Sequence, residues 1–223
     1  MLANSDQPIM NSAQRFAWLV AFAVAMAFVE AAVVVYLRHI FYPDGFVFPL
    51  GVLDLMGSGA PLLGVEVARE LVTMIMLATV AALTGQSRPE RWACFLLAFG
   101  IWDIFYYIFL KLIIGWPATF FDWDVLFLIP WPWVAPVLAP VAMSVVMIFC
   151  ALLALGRQLR GRDFRLGRVG LLLVLVGTAV VLFSFLRDRP AALDQQPPQA
   201  YWYPLLVIGI GLWLTAFLRA FRH

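Results

Sequence analysis

The chain has 223 residues, 64% of them hydrophobic and only 13% charged, with a formal net charge of +2. Soluble globular domains run nearer about 45–50% apolar and about 25% charged, so the composition excludes that class. Several almost uncharged stretches reach about 20 residues, the length that crosses about 30 Å of hydrocarbon. The expected class is an all-α, polytopic integral membrane protein folded as one transmembrane helical bundle.

In chain order, residues 1–14 read as a short disordered cytoplasmic tail and residues 15–223 as the bundle. No cleaved leader is expected, because the first apolar run follows Arg15, is too long, and lacks a small-residue cleavage site. Hydropathy predicts six spans, at about 16–37, 62–84, 92–114, 134–156, 169–186 and 203–219. Turn formers collect between them, as in Gly57-Ser58-Gly59 and Gly115-Trp116-Pro117. Residues 46–56 and 125–133 are apolar but too short to cross, which predicts two interfacial or re-entrant segments over the outer mouth of the bundle. Trp116, Trp123, Trp131, Trp133, Tyr201, Trp202 and Tyr203 fall at outer boundaries, as aromatic-belt anchors do. Pro136 and Pro140 predict a kink near the start of span 4, and Gly209 and Gly211 predict close packing in span 6. Cys94 and Cys150 read as packing residues, not a disulfide.

Orientation follows from the bases. With the N-terminus inside, the inner segments hold ten arginines, from Arg15 through Arg88, Arg91 and the run at 157–168 to Arg219 and Arg222. The outer segments hold only Arg38, Arg187 and Arg189. The positive-inside rule therefore expects both termini in the cytoplasm, and the run at 157–168 reads as a topological anchor. Size and composition suggest a bacterial inner membrane. Nucleic acid is not an expected partner.

Four acids lie within the spans: Glu30, Glu66, Glu70 and Asp103, beside the bases Arg69 and Lys111. A charge at bilayer depth costs about 2.5–3.5 kcal/mol on insertion scales, so ionisable residues there mark function by default. At about 1.5 Å of rise per residue, Glu30, Glu66 and Glu70 lie roughly 6–12 Å below the outer surface and Asp103 near the midplane. Glu66, Arg69, Glu70 and Thr73 share one helical stripe, and Asp103 shares one with Tyr106 and Tyr107. Ala23 and Ala27, on the Glu30 face of span 1, would allow close helix approach. The three faces together predict an outward-facing polar cavity in the first three spans, with Asp122 and Asp124 at its rim.

Four carboxylates against two bases leave a negative surplus that must take up protons or bind a cation. Glu30, Glu66, Glu70 and Asp103 are the expected ion or proton binders. Arg69, Tyr107 and Lys111 would tune them or bind an anionic group. An all-oxygen set suits a hard divalent cation such as Ca²⁺, Mg²⁺ or Mn²⁺, and no haem is expected. The first functional expectation is a small ion- or proton-coupled transporter. An intramembrane carboxylate-metal enzyme acting on a lipid-like substrate is the second. The third is a non-catalytic subunit or assembly factor of a larger complex, with membrane lipids and other membrane subunits as partners. A purely structural alternative pairs Arg69 with its acidic neighbours and lets Lys111 snorkel outward.

Overall fold

The computed structural model of the protein describes residues 11–42, 60–162, 164–188 and 200–222. Each apolar run is a helix long and apolar enough to cross a membrane. The six are α1 (Ser12–Phe41), α2 (Ala60–Thr84), α3 (Arg88–Ile114), α4 (Leu138–Leu159), α5 (Gly167–Leu186) and α6 (Tyr203–Arg222). The chain is a helical multi-pass membrane protein. Between α3 and α4 it adds one small antiparallel hairpin, β1 (Trp123–Phe127) and β2 (Trp133–Pro136).

Local chemistry moves several predicted boundaries. Helix α1 starts at Ser12, so residues 12–14 of the expected tail are helical, and residues 1–10 lie outside the described residues. The Asn11 side chain accepts from the Gln14 N–H and the Gln14 side chain accepts from the Asn11 N–H, a capping box that satisfies two first-turn donors. Helix α3 starts at Arg88 behind the Ser87 cap, with Pro89 in its first turn, and stops at Gly115, whose φ of +71° suits a residue without Cβ. Span 4 was expected from 134, but α4 begins at Leu138 because Trp133–Pro136 pairs with β1. The expected kink in α4 has no basis there. Pro136 ends β2, and Pro140 sits in the first turn, where its missing N–H would have no helical partner. The 125–133 segment is thus the body of a hairpin rather than a plain interfacial run. The 46–56 segment lies outside the described residues.

Helix α3 is the hub and packs against α1, α2 and α4, while α5 and α6 form a second pair. Contacts of α4 with α6 and of β2 with α5 join the two groups. The hairpin caps one end of the bundle, hereafter the hairpin end. The α2–α3 and α4–α5 turns, with Arg88, Arg91, Arg160 and Arg162, form the opposite, basic end. There Arg157 donates to the carbonyls of Ala220 and Phe221 at 3.2 and 2.7 Å, closing the C-terminus of α6.

Small residues set the helix spacings. Leu19, Ala23, Ala27 and Ala31 form a fully buried stripe on α1. A Cβ on Gly100 would lie 2.8 Å from both Ile148 Cγ1 and the Ser144 carbonyl oxygen, so α3 and α4 touch nearly backbone to backbone. Gly177 and Gly209 do the same for α5 and α6, each 2.9 Å from the other's carbonyl oxygen by that measure. Gly211 faces open space and is not the packing residue that its span suggested. Outward, Leu83, Leu112, Leu172 and Val207 are exposed, as a lipid-facing surface requires. Trp131 and Trp202 are exposed and suit an aromatic belt, whereas Tyr201 is buried and shares a 2.7 Å hydrogen bond with Ser184.

Overpacking a tight crossing costs about 1–3 kcal/mol. Gly100→Val should therefore lower the thermal unfolding midpoint in detergent, while Gly211→Ala should not. Equal midpoints for the two variants would show that the α3–α4 approach is not close.

Candidate functional site

At the hairpin end of the bundle, α1 and α2 are fastened through one guanidinium. Arg69 Nε and Nη2 donate to Glu66 Oε2 at 2.9 and 2.7 Å, and Arg69 Nη1 donates to Glu30 Oε1 on α1. The Thr73 hydroxyl donates to the other Glu30 oxygen at 3.2 Å. Spacings of three and four residues on α2 place these groups on one stripe, as the sequence indicates.

Glu70 shares that stripe but has a different partner. Its two carboxylate oxygens accept the Leu128 N–H at 3.1 and 2.9 Å. Leu128 directly follows β1, where strand pairing has ended. A backbone N–H in apolar surroundings needs an acceptor, and Glu70 supplies it from a transmembrane helix.

Asp124, on β1, is a second attachment of the hairpin. It is only 4% exposed, so it belongs to the interior and not to a rim. Arg38 Nη2 donates to Asp124 Oδ1 at 3.3 Å, and the Tyr107 hydroxyl donates to Oδ2 at 3.2 Å. The Arg38 guanidinium also lies 3.8 Å from the centroid of the Trp116 ring. Deeper, the Ser144 hydroxyl of α4 donates to Asp103 Oδ2 at 2.8 Å, through the gap that Gly100 opens one turn away. Tyr106 lies within electrostatic reach of Arg38, Arg69, Asp103 and Asp124, which joins these groups into one field.

Two predicted members fall outside the site. Lys111 is exposed, and its ammonium donates to the Gly115 and Pro117 carbonyls at 3.0 and 2.7 Å, closing the end of α3. Asp122 accepts from the Ala118 N–H and the Thr119 hydroxyl, each at 2.7 Å, and shapes the turn before β1. Short side chain-to-backbone bonds of this kind satisfy both residues locally. Arg38 replaces Lys111 as the second base. Its signal was present: it stands seven residues after Ala31, on the continuation of the small-residue stripe, although its place at a span end suggested a surface base.

Among the described residues at the hairpin end, then, five buried carboxyls (Glu30, Glu66, Glu70, Asp103 and Asp124) stand beside two guanidiniums, which pair with three of them, Glu30, Glu66 and Asp124. The acids are spread over separate partners, and among the described residues no three His, Cys, Asp or Glu side chains converge to hold a metal ion. Compared with protein-family models, curated proteins and solved structures, the chain matches none.

Burial pushes the Asp124 carboxyl above the usual range, and Arg38, Tyr107 and a backbone N–H pull it back only in part. The folded state therefore holds this proton more tightly than the unfolded chain. Its stabilising contribution is present at acidic pH and fades as pH rises through the window above the ordinary Asp value. The unfolding midpoint should fall across that window, and Asp124→Asn should flatten the slope. An unchanged slope in the variant would remove Asp124 as its source.

Proposed function

We propose that this chain binds protons at an outward-facing carboxylate site and works as a small proton-coupled transporter. The observation that carries this reading is the excess, among the described residues, of five buried carboxyls over two guanidiniums at the hairpin end. Isolated ionised carboxylates are too costly at low dielectric, so the excess is neutralised by protons or by a cation. A Ca²⁺, Mg²⁺ or Mn²⁺ ion needs several oxygens directed at one point. Here Glu70 faces a backbone N–H, Asp103 a serine, and Asp124 an arginine and a tyrosine, an arrangement that favours protons.

The same contacts suggest how protons would act. Ionised Glu70 is the stronger acceptor for the Leu128 N–H, because hydrogen bonds to charged groups exceed those to neutral ones. Protonation of Glu70 weakens that attachment of the hairpin and frees its edge to move, exposing Arg69 to an anionic or polar solute, while Asp124 stays tethered to Tyr107 and Arg38. Below the site the buried Leu19, Ala23, Leu77, Leu97 and Ala98 form an apolar floor, which favours access from the hairpin end. The arginine distribution favours placing that end outside.

A pH step across liposomes on a solid-supported membrane tests this without a known solute. An acidic step should give a transient inward charge movement in the wild type and little in Glu70→Gln. No transient in the wild type, or an equal one in a correctly inserted Glu70→Gln protein, would defeat the proposal.

A further inference from the structure

Below the carboxylate site, toward the basic end, a groove of about 550 Å³ lies between α2 and α3. Met74, Ala78 and Ala82 of α2 line one side, and Trp92 with Phe95 of α3 the other. Three of these walls hold only a methyl or a thioether, which is why the helices leave space there. Leu83, beside the groove, is 81% exposed, so the surface around it is lipid-facing. The mouth differs from the walls, because Arg88 and Arg91 both border it.

Arg91 is held in place, and among the described residues neither arginine is paired with a carboxylate. Arg91 Nε donates to the Gly85 carbonyl at 3.1 Å, which fixes the side chain and leaves its two terminal nitrogens for other acceptors. Gly85 itself is pressed against Arg91, since a Cβ there would lie 2.5 Å from the Arg91 nitrogen. The nearest acid in sequence, Glu90, is committed elsewhere: it pairs with Arg15 at 3.3 Å and accepts the Gln86 N–H at 3.0 Å. The Arg15–Glu90 pair ties α1 to α3, so Glu90 stands on the face turned away from solvent.

From this combination we infer that the α2–α3 groove is a seat for one anionic phospholipid, with an acyl chain along the alanine wall and the phosphate between Arg88 and Arg91. Basic pockets between transmembrane helices take anionic headgroups in this way. A zwitterionic lipid fits the groove equally well but brings an ammonium group to two guanidiniums, so charge supplies the discrimination. An acidic protein segment is the poorer fit, because the groove floor runs along spans at hydrocarbon depth. If the basic end faces the cytoplasm, the seat lies in the inner leaflet, where the anionic surface potential acts. The run at 157–168 is a separate feature: there Arg160 and Arg162 are exposed on the α4–α5 turn, and neither lines the α2–α3 groove.

Native mass spectrometry of the full chain in detergent, titrated with palmitoyl-oleoyl phosphatidylglycerol or phosphatidylcholine, tests the assignment. The wild type should retain phosphatidylglycerol in preference to phosphatidylcholine. R88Q/R91Q should weaken phosphatidylglycerol binding by about tenfold, given the attraction of each base for an anionic surface. R160Q/R162Q should leave it within about twofold, as charges outside the seat are screened by solvent. Ala78→Leu, which fills the acyl wall without touching charge, should weaken both lipids. Equal retention of the two lipids by the wild type would overturn the proposal. So would an equal loss in R160Q/R162Q, or full binding in Ala78→Leu.

Discussion

A carboxylate or a backbone N–H inside a hydrocarbon layer must find a partner within the protein, and this constraint organises the hairpin end of the bundle. Arg69 is the point where it acts most strongly. One planar guanidinium serves Glu66 on its own helix and Glu30 on another, so α1 and α2 are joined by a bond rather than by apolar contact alone. That join matters because hydrocarbon surrounds every helix and gives no hydrophobic drive for helices to associate. Removing one partner of such a pair leaves an uncompensated charge, a loss of about 3–5 kcal/mol for a buried pair.

The hairpin follows from the same constraint. A two-stranded ribbon is marginal by itself. Here its strands are held to the bundle by Glu70 through the Leu128 N–H and by Asp124 through Arg38 and Tyr107. Its polar attachments are therefore ionisable, beside the apolar packing of β2 through Val134 and Ala135, while the helix crossings at Gly100 and at Gly177 and Gly209 hold no ionisable group. A change in protonation would act on the hairpin first and leave the helix packing in place. This separation of a rigid, close-packed body from a charge-tethered cap is the physical basis of the proposed transport cycle.

Much of the fold was legible because long apolar runs have one solution in a bilayer. All six helices follow from hydropathy, and the stripes on α2 and α3 follow from spacing. The hairpin was not legible, since residues 125–133 are apolar without clear alternation and their pairing depends on partners in α1, α2 and α3. The four acids were found from depth alone. The pairing of Arg69 with its acidic neighbours was legible from spacing, but Leu128, Ser144, Arg38 and Tyr107 as partners were not, because hydropathy reports how deep a residue lies and not which neighbour it meets. Lys111 and Arg38 show the limit well. Both stand within a few residues of a helix end, yet one turns back to its own C-terminal carbonyls and the other continues a buried alanine stripe. Asp122 and Asp124 are two residues apart and would share a face in a continuous strand, but Asp122 stands in the turn before β1 and caps it locally, whereas Asp124 lies in the strand and turns to the interior.

The central claim is that protons neutralise the excess acid. Infrared spectroscopy of the purified protein at neutral pH addresses it most directly, because a protonated carboxyl has a carbonyl stretch that an ionised one lacks. A protonated-carboxyl band is expected in the wild type, shifted by exchange into heavy water, and reduced in Asp103→Asn. A wild-type spectrum with no such band, all carboxyls being ionised, would contradict the claim and return the charge balance to a bound cation.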